Sequence, residues 1–181
     1  TDLDVQLVLD TTGSMGDEMS YLAAEFINIA AAVRAQFPGV AARFGLVVYR
    51  DQGDAYVVRS YGFTESAEVM QQQLAQQAAG GGGDYPEAMD RALAAALEAP
   101  WRGGNTARLL FLVADAPPHD EHLSDLLAGA RLARRAGVHV YPLAASGVAD
   151  TAEYLMRITA AATLGRYLFL TDDSGVGNAH A

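Results

Sequence analysis

The sequence predicts a doubly wound, three-layer α/β/α domain. Its sheet is mostly parallel and six-stranded, with one antiparallel edge strand. Three observations lead there. Short, strongly apolar runs, 5–9 and 109–114 above all, have the composition of strands buried on both faces. Stretches with helical spacing alternate with such runs along the whole chain. The length, 181 residues, suits one domain (1–181, with 171–181 as a tail) rather than two.

Residues 5–9 form the first strand. The helix that follows carries Met19, Leu22, Phe26, Ile29 and Val33 at 3/4 spacing and stops at Pro38-Gly39. A second strand covers 44–49 and a turn covers 50–54. An alternating segment, 56–63, reads as the antiparallel edge strand. A glutamine-rich helix spans 66–79. After four glycines, 80–83, Pro86 is placed to open a helix to residue 98. Then come strand 109–114, helix 124–136 closed by Gly137, strand 138–143, helix 151–162 and strand 167–170. In such sheets ligands bind beyond the carboxyl ends of the strands, at the switch point between neighbours. Here that crevice is flanked by strands 5–9 and 109–114, with Asp10 and Asp115 at their ends.

Composition narrows the function. Half of the chain (51%) is apolar, which makes it globular, and the formal charge is −10, from 12 basic and 22 acidic residues. A nucleic-acid binder or a polybasic membrane surface needs the opposite balance. No apolar run reaches the length of a membrane helix, so no membrane insertion is expected. With no cysteine, thiolate metal sites and cysteine nucleophiles are excluded. With no lysine, so are the P-loop and Schiff-base chemistries. The chain begins at Thr1 without a leader, so it is expected to be a domain cut from a longer protein, and its compartment is open.

The segment that carries chemistry is Asp10-Thr11-Thr12-Gly13-Ser14, between the first strand and the first helix. Its Asp-x-Thr-x-Ser pattern can aim one carboxylate and two hydroxyls at one point. These hard oxygens suit Mg²⁺ or Mn²⁺, with Ca²⁺ also possible. The plainer alternative is helix capping by Ser14 with Asp17, and turn formation by Asp10.

The motif resembles that of the von Willebrand factor type A domains. Their metal-ion-dependent adhesion site carries Asp-x-Ser-x-Ser after the first strand, and Thr12 keeps the hydroxyl of the first Ser. The resemblance also implies a role for Asp115, in Leu112-Val113-Ala114-Asp115, as the acidic residue after the fourth strand. The family's second-loop Thr is missing from Gly81-Gly82-Gly83-Asp84-Tyr85-Pro86-Glu87. Asp84 is the substitute, as in Gly-Gly-Gly-Asp-x-Pro-Glu variants. The implied site is therefore Asp10, Thr12, Ser14, Asp84 and Asp115. Thr12 and Ser14 would bind the metal directly, and Asp10 and Asp115 largely through waters. The implied function is a binding module and not an enzyme. A protein or peptide partner would supply an Asp or Glu to complete the coordination.

The rival reading is a serine hydrolase with Ser14 as nucleophile, Asp115 as orienter and His119 as base, although Thr12 stands where the nucleophile elbow needs Gly. A metal-free scaffold is the third. Asp51 and Asp54 read as turn formers. His119-Asp120-Glu121-His122 reads as a solvated loop, because two His without a third ligand are a weak metal signal. Tyr49 and Tyr85 either line the cleft or pack. Asp10, Asp17, Asp51, Asp54, Asp84, Asp115, Asp120, Asp172 and Asp173 are all expected at the carboxyl edge of the sheet, as a cation-attracting rim.

Overall fold

The computed structural model describes residues 2–83 and 85–169. Among these, six strands form one sheet in the order β3-β2-β1-β4-β5-β6. The central strand β1 (Asp2–Asp10) runs parallel to β2 (Ala41–Tyr49) on one side and to β4 (Thr106–Ala114) on the other. Beyond β4 lie β5 (Val138–Ala144) and the short β6 (Leu168–Phe169), both parallel. The edge strand β3 (Val58–Thr64) is antiparallel to β2, as its alternating sequence predicts. The doubly wound, mostly parallel sheet with one antiparallel edge strand is therefore the observed fold.

Successive side chains of a strand point to opposite faces, and β1 feeds two cores accordingly. Leu7 and Leu9 join Met15, Met19, Phe26, Ala30, Met70 and Leu74, under helices α1 (Gly16–Gln36) and α2 (Ala67–Ala75). Val8 joins Met89, Leu93, Leu126, Leu155 and Met156, under α3 (Met89–Leu97), α4 (Leu123–Ala136) and α5 (Asp150–Thr163). With both faces covered, the second half of β1, Leu7-Val8-Leu9, is apolar throughout.

Several local expectations shift. Ile29 is 43% exposed; α1 buries Met19, Phe26 and Ala30, two turns and then one turn apart along a narrower stripe. Ser66 caps α2, accepting from the Val69 N–H, and α2 ends at Ala75, short of the predicted residue 79. Pro86 does not open α3, which begins at Met89. Glu87 instead lies extended and forms a parallel bridge with Pro118. Tertiary pairing with the loop after β4 thus overrides the preference of Pro for a first helical turn. The predicted tail, 171–181, and residue 170 of the last strand lie outside the described residues.

The amino end of the sheet is held by charge. Asp4, fully buried on β1, receives Arg43 Nε and Nη2 at 3.0 and 2.7 Å, and Arg102 N and Nε at 2.8 Å each. Burial alone would raise the Asp4 carboxyl. The hydrogen bonds from Arg43 and Arg102 outweigh it and hold the group below the ordinary value. These contacts tie β1 to β2 and to the segment that leads into β4.

Candidate metal centre

The carboxyl end of the sheet is built differently. In register, Asp10 of β1 stands opposite Tyr49 of β2, and Leu9 opposite Val113 of β4. The chain then leaves β1 through Thr11-Thr12 into a single 3-10 turn, Gly13–Met15. Thr11 holds the departure: its N–H and its hydroxyl both donate to the Tyr49 carbonyl, at 2.9 Å each. With that backbone fixed, Asp10 Oδ1 accepts the Thr12 N–H at 2.9 Å and the Thr12 hydroxyl at 2.7 Å.

This arrangement leaves the other carboxylate oxygens without partners. Asp10 Oδ2 and Asp115 Oδ1 are both buried and unbonded. So is Oε2 of Glu87, a residue 3% exposed. The Tyr49 hydroxyl is buried and unbonded as well. Burial raises the Asp10 carboxyl to about 7, with the Asp115 charge adding to the effect; the two bonds from Thr12 and the facing Tyr49 hydroxyl act against it. Burial, then the charges of Asp10, Asp51, Asp54 and Asp115, raise Glu87 to about 9. Burial and the same acidic surroundings (Asp10, Asp115 and Glu87) push Tyr49 well above the phenol range.

The glycine loop covers this group. Gly80 N donates to the Thr11 carbonyl at 3.1 Å, and Gly82 N donates to Asp54 Oδ2 at 3.0 Å. Gly82 has φ +75°, and a Cβ on it would meet Glu87 Oε1 at 2.8 Å and Thr12 Cβ at 3.1 Å. The backbone thus passes closer to the acidic cluster than any side chain would permit. On the other flank, the Tyr85 hydroxyl donates to the Asp115 carbonyl at 3.0 Å, so Tyr85 braces the loop after β4 while its ring stays half exposed.

Of the residues singled out from the sequence, Asp10, Thr12 and Asp115 come together and are buried. Ser14 sits exposed in the 3-10 turn, and the N-cap of α1 is Met15 without a side-chain bond, so Ser14 is not a helix cap. Asp84 lies outside the described residues, as do Asp172 and Asp173 of the predicted rim. Asp17 and Asp120 are exposed on the rim as expected, whereas Asp10, Asp51 and Asp115 are buried beneath it.

Other members of the cluster had been given different roles. Asp51 and Asp54 do more than form a turn. Asp54 Oδ2 accepts from Asp51 N (3.1 Å) as well as from Gly82 N, and buried Asp51 bonds His119 Nε2 at 2.7 Å. A carboxylate bonded to His119 is that of Asp51. Glu87 was the most accessible omission, since it ends the Gly-Gly-Gly-Asp-x-Pro-Glu segment. The pairing of Asp51 with His119 spans 68 positions and has no local signature.

The donor set fits a hard divalent cation. Buried carboxylate oxygens without hydrogen-bond donors call for a cation or a proton. Thr12 spends its hydroxyl hydrogen on Asp10, so its lone pairs are left to accept. A family model of the von Willebrand factor A domain matches residues 4–176. Among curated proteins, a putative ariadne-like RING finger protein of Acanthamoeba polyphaga mimivirus is 31% identical over 117 residues, 65% of this chain and 11% of that protein. The matched part thus spans about a tenth of that relative's length. Among solved structures, an aerotolerance-related membrane protein of Bacteroides fragilis superposes with TM-score 0.67 at 14% identity, covering 96% of this chain and 94% of that one. The conserved hypothetical protein BatB of Bacteroides thetaiotaomicron follows with TM-score 0.65 at 14% identity, over 93% and 90% of the two chains. At such identity these two likenesses speak for the fold. The family match runs from β1 past the last described strand, and the chain belongs to the von Willebrand factor A domain family.

Proposed function

We propose that this chain is a divalent-cation-dependent binding module for a protein or peptide that carries an acidic residue. The observation that carries the reading is the pair of buried, unbonded oxygens, Asp10 Oδ2 and Asp115 Oδ1, at adjoining strand ends. Two carboxylates that each bury an oxygen without a hydrogen bond in one place repel each other, and a cation relieves both. Asp10, Thr12, Ser14 and Asp115 are the residues proposed to hold it, with Asp84 as a further oxygen from the glycine loop. Mg²⁺ fits best, with Mn²⁺ or Ca²⁺ as alternatives. Mg²⁺ asks for six oxygens and keeps several waters, so a partner carboxylate can replace one.

The chain's own groups have distinct tasks in this scheme. Asp10 orients Thr12 through two hydrogen bonds. Asp54 anchors the glycine loop, and Tyr85 braces the loop that carries Asp115. Exposed Ser14 and the half-exposed Tyr85 mark the side from which a partner approaches. The proposed role is binding without catalysis, in keeping with a family of interaction modules.

Thermal unfolding with Mg²⁺ or Mn²⁺ against a chelator tests the site. A cation at a hundred times its Kd stabilises by about 2.7 kcal/mol. Asp10→Ala should abolish that response while the circular dichroism stays native. Peptides selected from a display library in Mg²⁺ and released by chelator should converge on sequences with Asp or Glu. A wild-type protein indifferent to both ions, or a response that survives Asp10→Ala, overturns the site. Chelator-resistant labelling of Ser14 by an ester probe would favour the hydrolase.

A further inference from the structure

We propose a second cation site, separate from the first, in which Asp90, His122 and Asp125 bind a first-row transition ion such as Zn²⁺. One potential ligand atom from each of these residues falls within a group no more than 4.8 Å across. They come from three places: the first turn of α3, the 3-10 turn Asp120–His122, and the first turn of α4.

Helix packing brings them together. A Cβ on Gly129 of α4 would lie 2.9 Å from Leu93 Cδ2 of α3, so the two helices approach closely at that point. Asp90 lies one turn before Leu93 and Asp125 one turn before Gly129 on the same helix faces. The close approach therefore places the two carboxylates side by side. His122, three residues before Asp125, completes the group and bonds Asp125 Oδ2 through Nδ1 at 3.1 Å. That spacing matches two ligands of one tetrahedral ion: bonds of about 2.0 Å to N and O place ligand atoms about 3.3 Å apart.

A second, independent observation points to a ligand. Asp90 is 8% exposed, and its Oδ1 is buried without a hydrogen-bond partner. It enters no salt bridge among the described residues, while a second carboxylate, Asp125, stands beside it. Burial raises the Asp90 carboxyl, and His122 and the backbone N–H groups of Asp90 and Arg91 act in the opposite sense. A buried carboxylate next to another, with imidazole as the adjoining base, is a nitrogen-and-oxygen donor set suited to Zn²⁺ and less to Mg²⁺. Access is open. Asp90 and Asp125 line one end of a groove of about 560 Å³ between α3 and α4, and the His122 and Asp125 side chains are 30% and 62% exposed. A fourth position for water or an outside ligand is thus available on the groove side. The ion would pin the start of α3, three residues after Glu87, to α4.

The test is a Zn²⁺ titration by calorimetry of chelator-stripped protein, in millimolar Mg²⁺ to occupy the first site. Co²⁺ absorption serves as the reporter of coordination. One equivalent should bind, unchanged in Asp10→Ala and in His119→Ala. His122→Ala and Asp125→Asn, at a half-buried and an exposed position, should weaken it by about 100-fold, the upper end of what losing even an outer-shell partner costs. The Co²⁺ bands should vanish in the same two variants. Failure of the wild type to bind Zn²⁺, or binding that persists in His122→Ala, overturns the proposal. So does binding lost only in Asp10→Ala, which would assign the ion to the first site.

Discussion

Asp10 Oδ1 accepts both the backbone N–H and the hydroxyl of Thr12, at 2.9 and 2.7 Å, and this fixes the second residue beyond the strand on the carboxylate that ends it. The hydroxyl bond is the part of the arrangement a single substitution can remove. Thr12→Val keeps the shape and deletes the donor. It should cost about 1.5–3 kcal/mol of stability, the usual worth of a hydrogen bond to a charged group. It should also abolish the Mg²⁺-dependent rise in melting temperature. Thr12→Ser should retain both. Chemical denaturation with and without Mg²⁺ separates the two effects.

The acidic cluster dictates an unusual pH dependence for the metal-free protein. Asp10 and Glu87 rise from 3.8 and 4.5 to about 7 and about 9, so between these limits the native state binds more protons than the unfolded chain. Stability then falls as pH rises. The loss should begin above about pH 4, continue through pH 7 for Asp10 and end near pH 9 for Glu87. Urea titrations across pH 5–9 in chelator should show the decline. Saturating Mg²⁺ should flatten it, because a cation replaces the proton. Asp10→Asn should remove the part that ends near pH 7.

At the opposite edge the sign reverses. The Asp4 carboxyl lies below its ordinary 3.8, so its stabilisation is complete above that value and is lost as pH falls through the lower folded value. Asp4→Asn should remove this acid-side loss and destabilise at neutral pH. Breaking one partner of a buried ion pair costs about 3–5 kcal/mol. The lower end is expected here, because Arg43 and Arg102 keep 20% and 22% of their side chains exposed. Guanidinium denaturation of the variant at pH 7 and at pH 3 measures both.

Gly82→Ala tests the covering loop. It combines a φ of +75° with a Cβ 2.8 Å from Glu87 Oε1. Residues other than glycine in such conformations cost about 1–3 kcal/mol before the clash is counted. The loop should therefore shift, and Mg²⁺ affinity should fall more than global stability does. Gly83→Ala, where nothing lies within 4 Å, is the control and should leave both nearly unchanged. Calorimetric titration of Mg²⁺ into the two variants gives the comparison.

Much of this was readable without coordinates. The continuous apolar runs of β1 and β4 are what a strand covered on both faces requires, and they imply the winding. The Asp-x-Thr-x-Ser motif is local, and the turn between strand and helix suffices to bring Thr12 onto Asp10, whereas Ser14 stays exposed. The end of α4 was equally local, since Gly137 takes the left-handed cap that its position suggested. Less local features were misread. Pro86 looked like a helix start until its neighbour Glu87 paired with Pro118 across the fold. Ile29 satisfied the helical spacing, yet the face of α1 that meets the sheet is narrower than the spacing allowed.

The sequence by itself determined the alternation of layers, the sign of the charge and the local turn that joins Asp10 to Thr12, because each depends on neighbours in the chain. Only the tertiary structure decided which acidic residues are buried together. Asp51 with His119, Glu87 bridged to Pro118, and Asp90 beside Asp125 are meetings of segments far apart in sequence. Their distances and desolvation depend on how helices and loops close over the sheet, and burial, more than residue type, raises the Asp10, Glu87 and Asp90 carboxyls above their ordinary values.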